Sequence, residues 1–169
     1  MRERLQPLRL FVKPIRRLSP PGTYFVTFSA FQRRTIFAVE SHVRLFLQLL
    51  YSYKRQGRFQ LHAFVVMPEH IHLLITPSSS LTLERAMQFI KGGYSHAFGL
   101  AFRAGEVWQR GFTDHRIRDL EDFVHHRDYI HRNPVERKLV DQADDYRYCS
   151  AFSGFKLDAW PPAAEATRN

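Results

Sequence analysis

The sequence predicts an α+β fold of the ferredoxin-like pattern, β-α-β-β-α-β with an antiparallel sheet, extended by an added C-terminal helix that carries a tyrosine. Three observations carry this assignment. The apolar runs 59–67 and 70–76 are separated only by Pro68-Glu69 and read as an antiparallel hairpin. A run rich in aromatic and β-branched residues, Thr23-Tyr24-Phe25-Val26-Thr27-Phe28-Ser29, precedes them as a first strand. Segments with apolar residues at helical spacing then lie before and after the hairpin.

Residues 1–22 form a basic N-terminal arm, with Arg2, Arg4, Arg9, Lys13, Arg16 and Arg17 against Glu3, ending in the turn sequence Ser19-Pro20-Pro21-Gly22. The first helix is expected from about 39 to 55, where Val43, Leu45, Phe46, Leu49, Leu50 and Tyr53 recur on one side and Gly57 supplies a stop. Pro68 cannot donate to a β-ladder, so it belongs at the hairpin turn or a strand end. The second helix, 81–102, opens at Thr82 and places Leu83, Met87, Ile90, Tyr94 and Phe98 together; Gly92-Gly93 either interrupts it or marks a close backbone approach. A last strand is expected at 113–118.

The third helix begins at Leu120 behind Asp119, with Glu121 and Asp122 in the first turn, where the helix dipole favours negative charge. It is expected to run to about 132, because Pro134 should end or kink it, with a short helix resuming at Val135. The domain is expected to span 23–155, and 156–169, which contains Trp160-Pro161-Pro162, reads as a mobile tail. No repeat and no second domain is visible.

Composition narrows the function classes. With 44% hydrophobic and 14% aromatic residues, wholesale disorder is excluded. The 25 Lys+Arg against 16 Asp+Glu give a net charge of +9, which favours a polyanionic partner: nucleic acid first, an anionic membrane surface second. A lone cysteine, Cys149, allows neither an intramolecular disulfide nor a thiolate zinc cage. No apolar stretch approaches the roughly 20 residues of a membrane helix, and Met1-Arg2-Glu3-Arg4-Leu5 is no signal peptide. A cytoplasmic protein is expected, nucleoid-associated if its partner is DNA.

Chemistry concentrates in Met67-Pro68-Glu69-His70-Ile71-His72. On a strand, His70 and His72 share one face while Ile71 points to the other, which makes half a metal site; neutral histidines satisfying buried hydrogen bonds are the plainer explanation. Tyr129 and Asn133 are neighbours at helical spacing of four, in His125-His126-Arg127-Asp128-Tyr129-Ile130-His131-Arg132-Asn133-Pro134. Packing for the tyrosine and a helix end for the asparagine account for that pair equally well.

Taken in order, Met67-Pro68-Glu69-His70-Ile71-His72, Trp108-Gln109-Arg110-Gly111-Phe112 with Asp114-His115-Arg116-Ile117-Arg118, and Tyr129-Ile130-His131-Arg132-Asn133-Pro134-Val135 resemble the REP-associated tyrosine transposases. These belong to the bacterial single-tyrosine HUH transposases, which nick and rejoin single-stranded DNA. Asp145-Tyr146-Arg147-Tyr148-Cys149-Ser150 resembles the family's closing motif, with Cys149 in place of a usual serine. The resemblance runs from about Thr23 to Phe152. It implies that His70 and His72 hold a divalent cation, Mg²⁺ or Mn²⁺, that Asn133 supplies a third ligand, and that Tyr129 is the catalytic nucleophile. The implied substrate is a single-stranded DNA hairpin of the palindromic extragenic repeats, nicked through a 5′-phosphotyrosine, by a monomer or homodimer.

Arg33, Arg34, Lys91, Arg110, Arg116 and Arg118 are the expected nucleic-acid contacts, as a set that would track a DNA backbone. Trp108, Phe112 and Tyr94 are either base-stacking platforms or core residues. Two other functions fit the same residues: a non-catalytic, basic nucleic-acid-binding module of ferredoxin-like fold, and a zinc-dependent hydrolase, the latter lacking a clear third strong ligand.

Overall fold

A computed structural model describes residues 18–103 and 105–160. Seven elements follow in the expected order: β1 (Tyr24–Ser29), α1 (Glu40–Arg55), β2 (Phe59–Val66), β3 (His70–Pro77), α2 (Leu83–Phe102), β4 (Thr113–Arg116) and α3 (Leu120–Glu136). The sheet order is β2-β3-β1-β4 and every pairing is antiparallel. This is the α+β architecture that the sequence predicts.

Alternation along the strands sorts residues onto two faces. Val26 and Phe28 of β1 with Ile71, Leu73 and Ile75 of β3 join Val43, Phe46 and Leu50 of α1 and Met87, Ile90 and Tyr94 of α2 in the larger core. Trp108 is buried in the same cluster and Phe112 packs against it, so core packing accounts for Trp108 and Tyr94. Each such fully buried side chain contributes about 1.5–3 kcal/mol relative to exposure. Gly93 marks a close approach within an unbroken α2, since a Cβ there would meet the Tyr53 hydroxyl at 2.0 Å.

The opposite face is covered by α3. Phe123 and Ile130 pack with Ala63, Val65, Met67 and Leu74 in a second, smaller core. The Asp119 side chain accepts from Asp122 N at 2.9 Å and caps the helix. His70 and His72 fall on this face, paired in register with Ser29 and Thr27 of β1.

Two expectations are corrected. The third helix does not stop before Pro134 but runs through it to Glu136. Proline removes the N–H that would reach the carbonyl four residues back, that of Ile130. Cys149 Sγ lies 3.9 Å from that oxygen, placed to donate to it, and burial lifts its pKa to about 11, which keeps the thiol protonated. Cys149 is brought there because Tyr146–Ser150 runs along the outer edge of β2: Val66 N donates to Tyr148 O at 2.9 Å and Ser150 N to Phe64 O at 2.8 Å.

The second correction concerns the tail. Asp158 Oδ2 accepts from Leu61 N at 2.7 Å and Oδ1 from Lys54 Nζ at 2.9 Å. Trp160 stacks on Phe123 at 4.7 Å between ring centroids and donates to Thr23 Oγ1 at 2.9 Å. Residues 156–160 are therefore docked, whereas 161–169 lie outside the described residues, as does the basic arm over 1–17. No helix among the described residues is long and apolar enough to cross a membrane.

Candidate active site

A cleft of about 410 Å³ opens between β1, β3 and α3. His70, His72, Tyr129 and Asn133 all line it, so one cleft gathers the four residues singled out from sequence. The two imidazoles stand 4.7 Å apart between centroids, and the Tyr129 ring lies edge-on to His72 at 5.3 Å. Continuation of α3 through Pro134 keeps Tyr129, Asn133 and Arg137, spaced by four, along one stripe that faces the cleft.

Each histidine is oriented by a partner on Nδ1. His70 Nδ1 donates to Glu69 Oε1 at 3.1 Å. His72 Nδ1 lies 2.7 Å from Thr27 Oγ1, its cross-strand partner. Asn133 Nδ2 donates toward His72 Nε2 at 3.5 Å, which makes Nε2 the lone-pair nitrogen and Nδ1 the protonated one. Burial lowers the pKa of both rings. For His72, burial together with the charges of His70 and Arg137 pushes it down to about 3; for His70, the Glu69 carboxylate pulls part of the way back. Both imidazoles are neutral at pH 7, the form that binds metals.

Asn133 Oδ1 is buried without a hydrogen-bond partner among the described residues. An orphaned buried oxygen costs about 1–3 kcal/mol, so it needs an occupant for its lone pairs. Two neutral imidazoles with Nδ1 tied back and one unsatisfied amide oxygen fit a borderline or hard divalent cation.

A second group of ligand-type atoms, from His115, Asp122 and His126, lies within 4.8 Å of one another. Its carboxylate is already engaged. Asp122 accepts from His115 Nε2 at 2.9 Å, Arg118 N at 3.0 Å and Arg118 Nε at 3.1 Å, and His126 Nδ1 lies 3.1 Å from Oδ1. Burial alone would raise its pKa, but the donors from His115 and Arg118 outweigh burial and hold it well below the usual carboxylate range. This group is a clasp between β4 and α3. From it a run of rings leads to the cleft: His115 stacks on His126 at 4.5 Å, His126 meets Phe25 at 4.8 Å, and Phe25 touches both His72 and Tyr129.

Of the six cationic residues proposed from sequence, Arg33 alone lines the cleft. Lys91 Nζ donates to the carbonyls of Gln109 and Gly111 and pins that loop. Arg34 donates to the Glu106 carbonyl, Arg116 Nη2 to Pro21 O at 2.9 Å, and Arg118 belongs to the Asp122 clasp. Arg110 is exposed on the 109–111 loop, away from the cleft lining. The sequence reading misses Arg137, Glu69 and Thr27. The four-residue step beyond Asn133 and the period of two along β1 were the available signals.

With this geometry in view, a family model described as "Transposase IS200 like" matches residues 22–133. The chain is 33% identical over 138 residues to the "REP-associated tyrosine transposase" of Escherichia coli strain K12, covering 81% of this chain and 78% of that protein. A Haemophilus influenzae relative is 27% identical over 151 residues, covering 83% of this chain and 85% of its own. Among solved structures, a REP-associated tyrosine transposase bound to a REP hairpin superposes with a TM-score of 0.67 at 29% identity, covering 79% of each chain.

Proposed function

From the premise that this chain belongs to the IS200-like transposase family, with the REP-associated tyrosine transposases, we propose that it is a metal-dependent single-stranded DNA nicking and strand-transfer enzyme that acts on palindromic hairpins. The observation that carries the reading is the placement of Tyr129 and Asn133 on one helical stripe facing His70 and His72 across a single cleft. The hairpin partner is carried over from the related transposase solved with a REP hairpin.

His70 and His72 would hold the cation through Nε2, because Nδ1 of each is tied to Glu69 or Thr27. Asn133 would add its amide oxygen, which has no partner among the described residues. A bound Mg²⁺ or Mn²⁺ supplies neutralisation of the charge that grows on the phosphate oxygens in the transition state. Every other role falls to the protein. The Tyr129 oxygen bonds to phosphorus as the bond to the 3′ oxygen breaks, giving a 5′-phosphotyrosine and a free 3′-hydroxyl. The phenol loses one proton and the departing oxygen gains one, so the step balances. Attack by a second 3′-hydroxyl reverses it and restores the tyrosine, which is strand transfer without an external energy source.

Of the acid–base groups on α3, His126 is engaged with Asp122 and Asp128 with Arg127, whereas Glu136 lines the cleft. The experiment is a covalent-adduct assay with hairpin DNA and Mn²⁺. The parent should give a denaturation-resistant protein–DNA species that Tyr129→Phe and His72→Ala both abolish. An adduct that persists in Tyr129→Phe overturns the nucleophile, and hairpin binding without cleavage under any metal supports the non-catalytic binding module instead.

A further inference from the structure

We infer that Arg33 and Arg137 form a phosphate clamp at the mouth of the cleft, gripping a backbone phosphate of single-stranded DNA beside the metal centre, with Glu69 as the leash that holds both guanidinium groups in place. The inference rests on the proposed reading of the cleft as a DNA strand-transfer site.

A single oxygen joins the parts. Glu69 Oε1 lies 3.1 Å from His70 Nδ1, 3.2 Å from Arg33 Nη2 and 3.3 Å from Arg137 Nη2. An oxygen has two lone pairs, whereas each guanidinium carries five N–H donors, so most donors of both arginines remain unspent. The carboxylate is largely covered, at 16% side-chain exposure, while the arginines are 60% and 54% exposed. Anion inside and cations outside is the order expected where a second anion docks from solvent.

The two arginines come from opposite walls, and each is held by its backbone. Arg33 sits in the turn Phe31–Arg33 after β1, where Gln32 and Arg33 both adopt left-handed conformations, φ 54° and 52°. Non-glycine residues take this region rarely, and such strain persists where the surroundings enforce it. Here Arg33 N donates to Ala30 O at 2.9 Å, and Ala30 N to Glu69 O at 2.9 Å. Arg137 ends α3 one turn beyond Asn133, whose carbonyl accepts from Arg137 N at 3.0 Å. A phosphodiester entering between them meets planar, multi-donor cations suited to bidentate contact. Glu69 then orients a proposed metal ligand and spaces the clamp through one atom.

The test is fluorescence anisotropy of a labelled single-stranded oligonucleotide with the full-length protein in EDTA, where binding is read without cleavage. Arg33→Gln and Arg137→Gln should each weaken binding about fivefold or more and reduce the salt slope by about 0.7. Arg44→Gln, an exposed α1 residue paired with Glu40, should change neither. Glu69→Gln should weaken binding, or tighten it less than Glu136→Gln, which removes the same charge from the cleft lining without touching the leash. Unaltered affinity and slope in both arginine variants overturn the clamp, and tightening by Glu69→Gln equal to or greater than that by Glu136→Gln overturns the leash. A parent that binds with full slope but never forms a covalent adduct would retain the clamp and sink the strand-transfer reading.

Discussion

The Cys149 thiol is placed to donate to the Ile130 carbonyl, the acceptor that Pro134 leaves without an N–H. Past that proline α3 carries Asn133 and Arg137 on the same stripe as Tyr129. Cys149→Val fills similar space without a donor and strands a buried carbonyl, at a cost of about 1–2 kcal/mol. Cys149→Ser keeps a donor and should recover most of it. Thermal melting checks this, at about 2–4 °C per kcal/mol for a domain of this size; equal melting temperatures for the valine variant and the parent would remove the thiol from the account.

The fold was legible because its signals are local. Alternation in Tyr24–Ser29, the apolar run in His70–Pro77, and the helical spacing of Val43, Phe46 and Leu50 are properties of short windows. The parts that escaped depend on distant partners. At Pro134 the freed carbonyl meets a thiol from position 149, and docking of Trp160 needs Phe123 and Thr23. The charge of Lys91 predicts a DNA contact, yet its ammonium is committed to loop carbonyls that no local pattern reveals. Of the site, His70, His72, Tyr129 and Asn133 are visible as motif residues, while Arg137 lies two residues beyond Val135, where the motif ends.

Asn133 should show opposed effects on metal affinity and stability. Its buried Oδ1 has no partner, so removing the amide relieves an unsatisfied oxygen while opening a small void. Asn133→Ala should therefore unfold within about 1 kcal/mol of the parent in EDTA. Mn²⁺ affinity, measured by calorimetry on the same preparation, should fall about tenfold or more. A variant that keeps parental Mn²⁺ affinity would take Asn133 out of the ligand set.

Asp122 ties the start of α3 to β4, and Tyr129 lies two turns further along that helix. Asp122→Ala leaves the His115 and Arg118 donors without their acceptor. Both side chains reach solvent, so the cost should be about 2 kcal/mol rather than the larger figure for a fully enclosed pair. Loosening the run from His126 through Phe25 should also slow adduct formation at saturating DNA. Denaturant titration and single-turnover kinetics read the two effects separately, and an unchanged rate would confine Asp122 to stability.

His72 gives the chain a defined acid response. Its pKa falls from 6.5 in the unfolded chain to about 3 in the fold, where burial acts first and the charges of His70 and Arg137 add to it. Between those values the unfolded state binds a proton that the folded state refuses, so stability must fall as pH drops below about 6.5, by up to about 1.4 kcal/mol per pH unit for this group. Above pH 6.5 neither state binds that proton and the contribution is flat. Other groups also titrate on acidification, including His62, His131 and, at lower pH, Glu69, so the informative quantity is a difference. The unfolding free energy of the parent minus that of His72→Gln, measured in metal-free buffer from pH 7.5 to 4.5, should hold constant down to about 6.5 and then decline toward the slope of one proton. Parallel curves across the whole range would mean that His72 titrates in the fold as it does in the unfolded chain, and the effect of burial on this ring would be lost with that result.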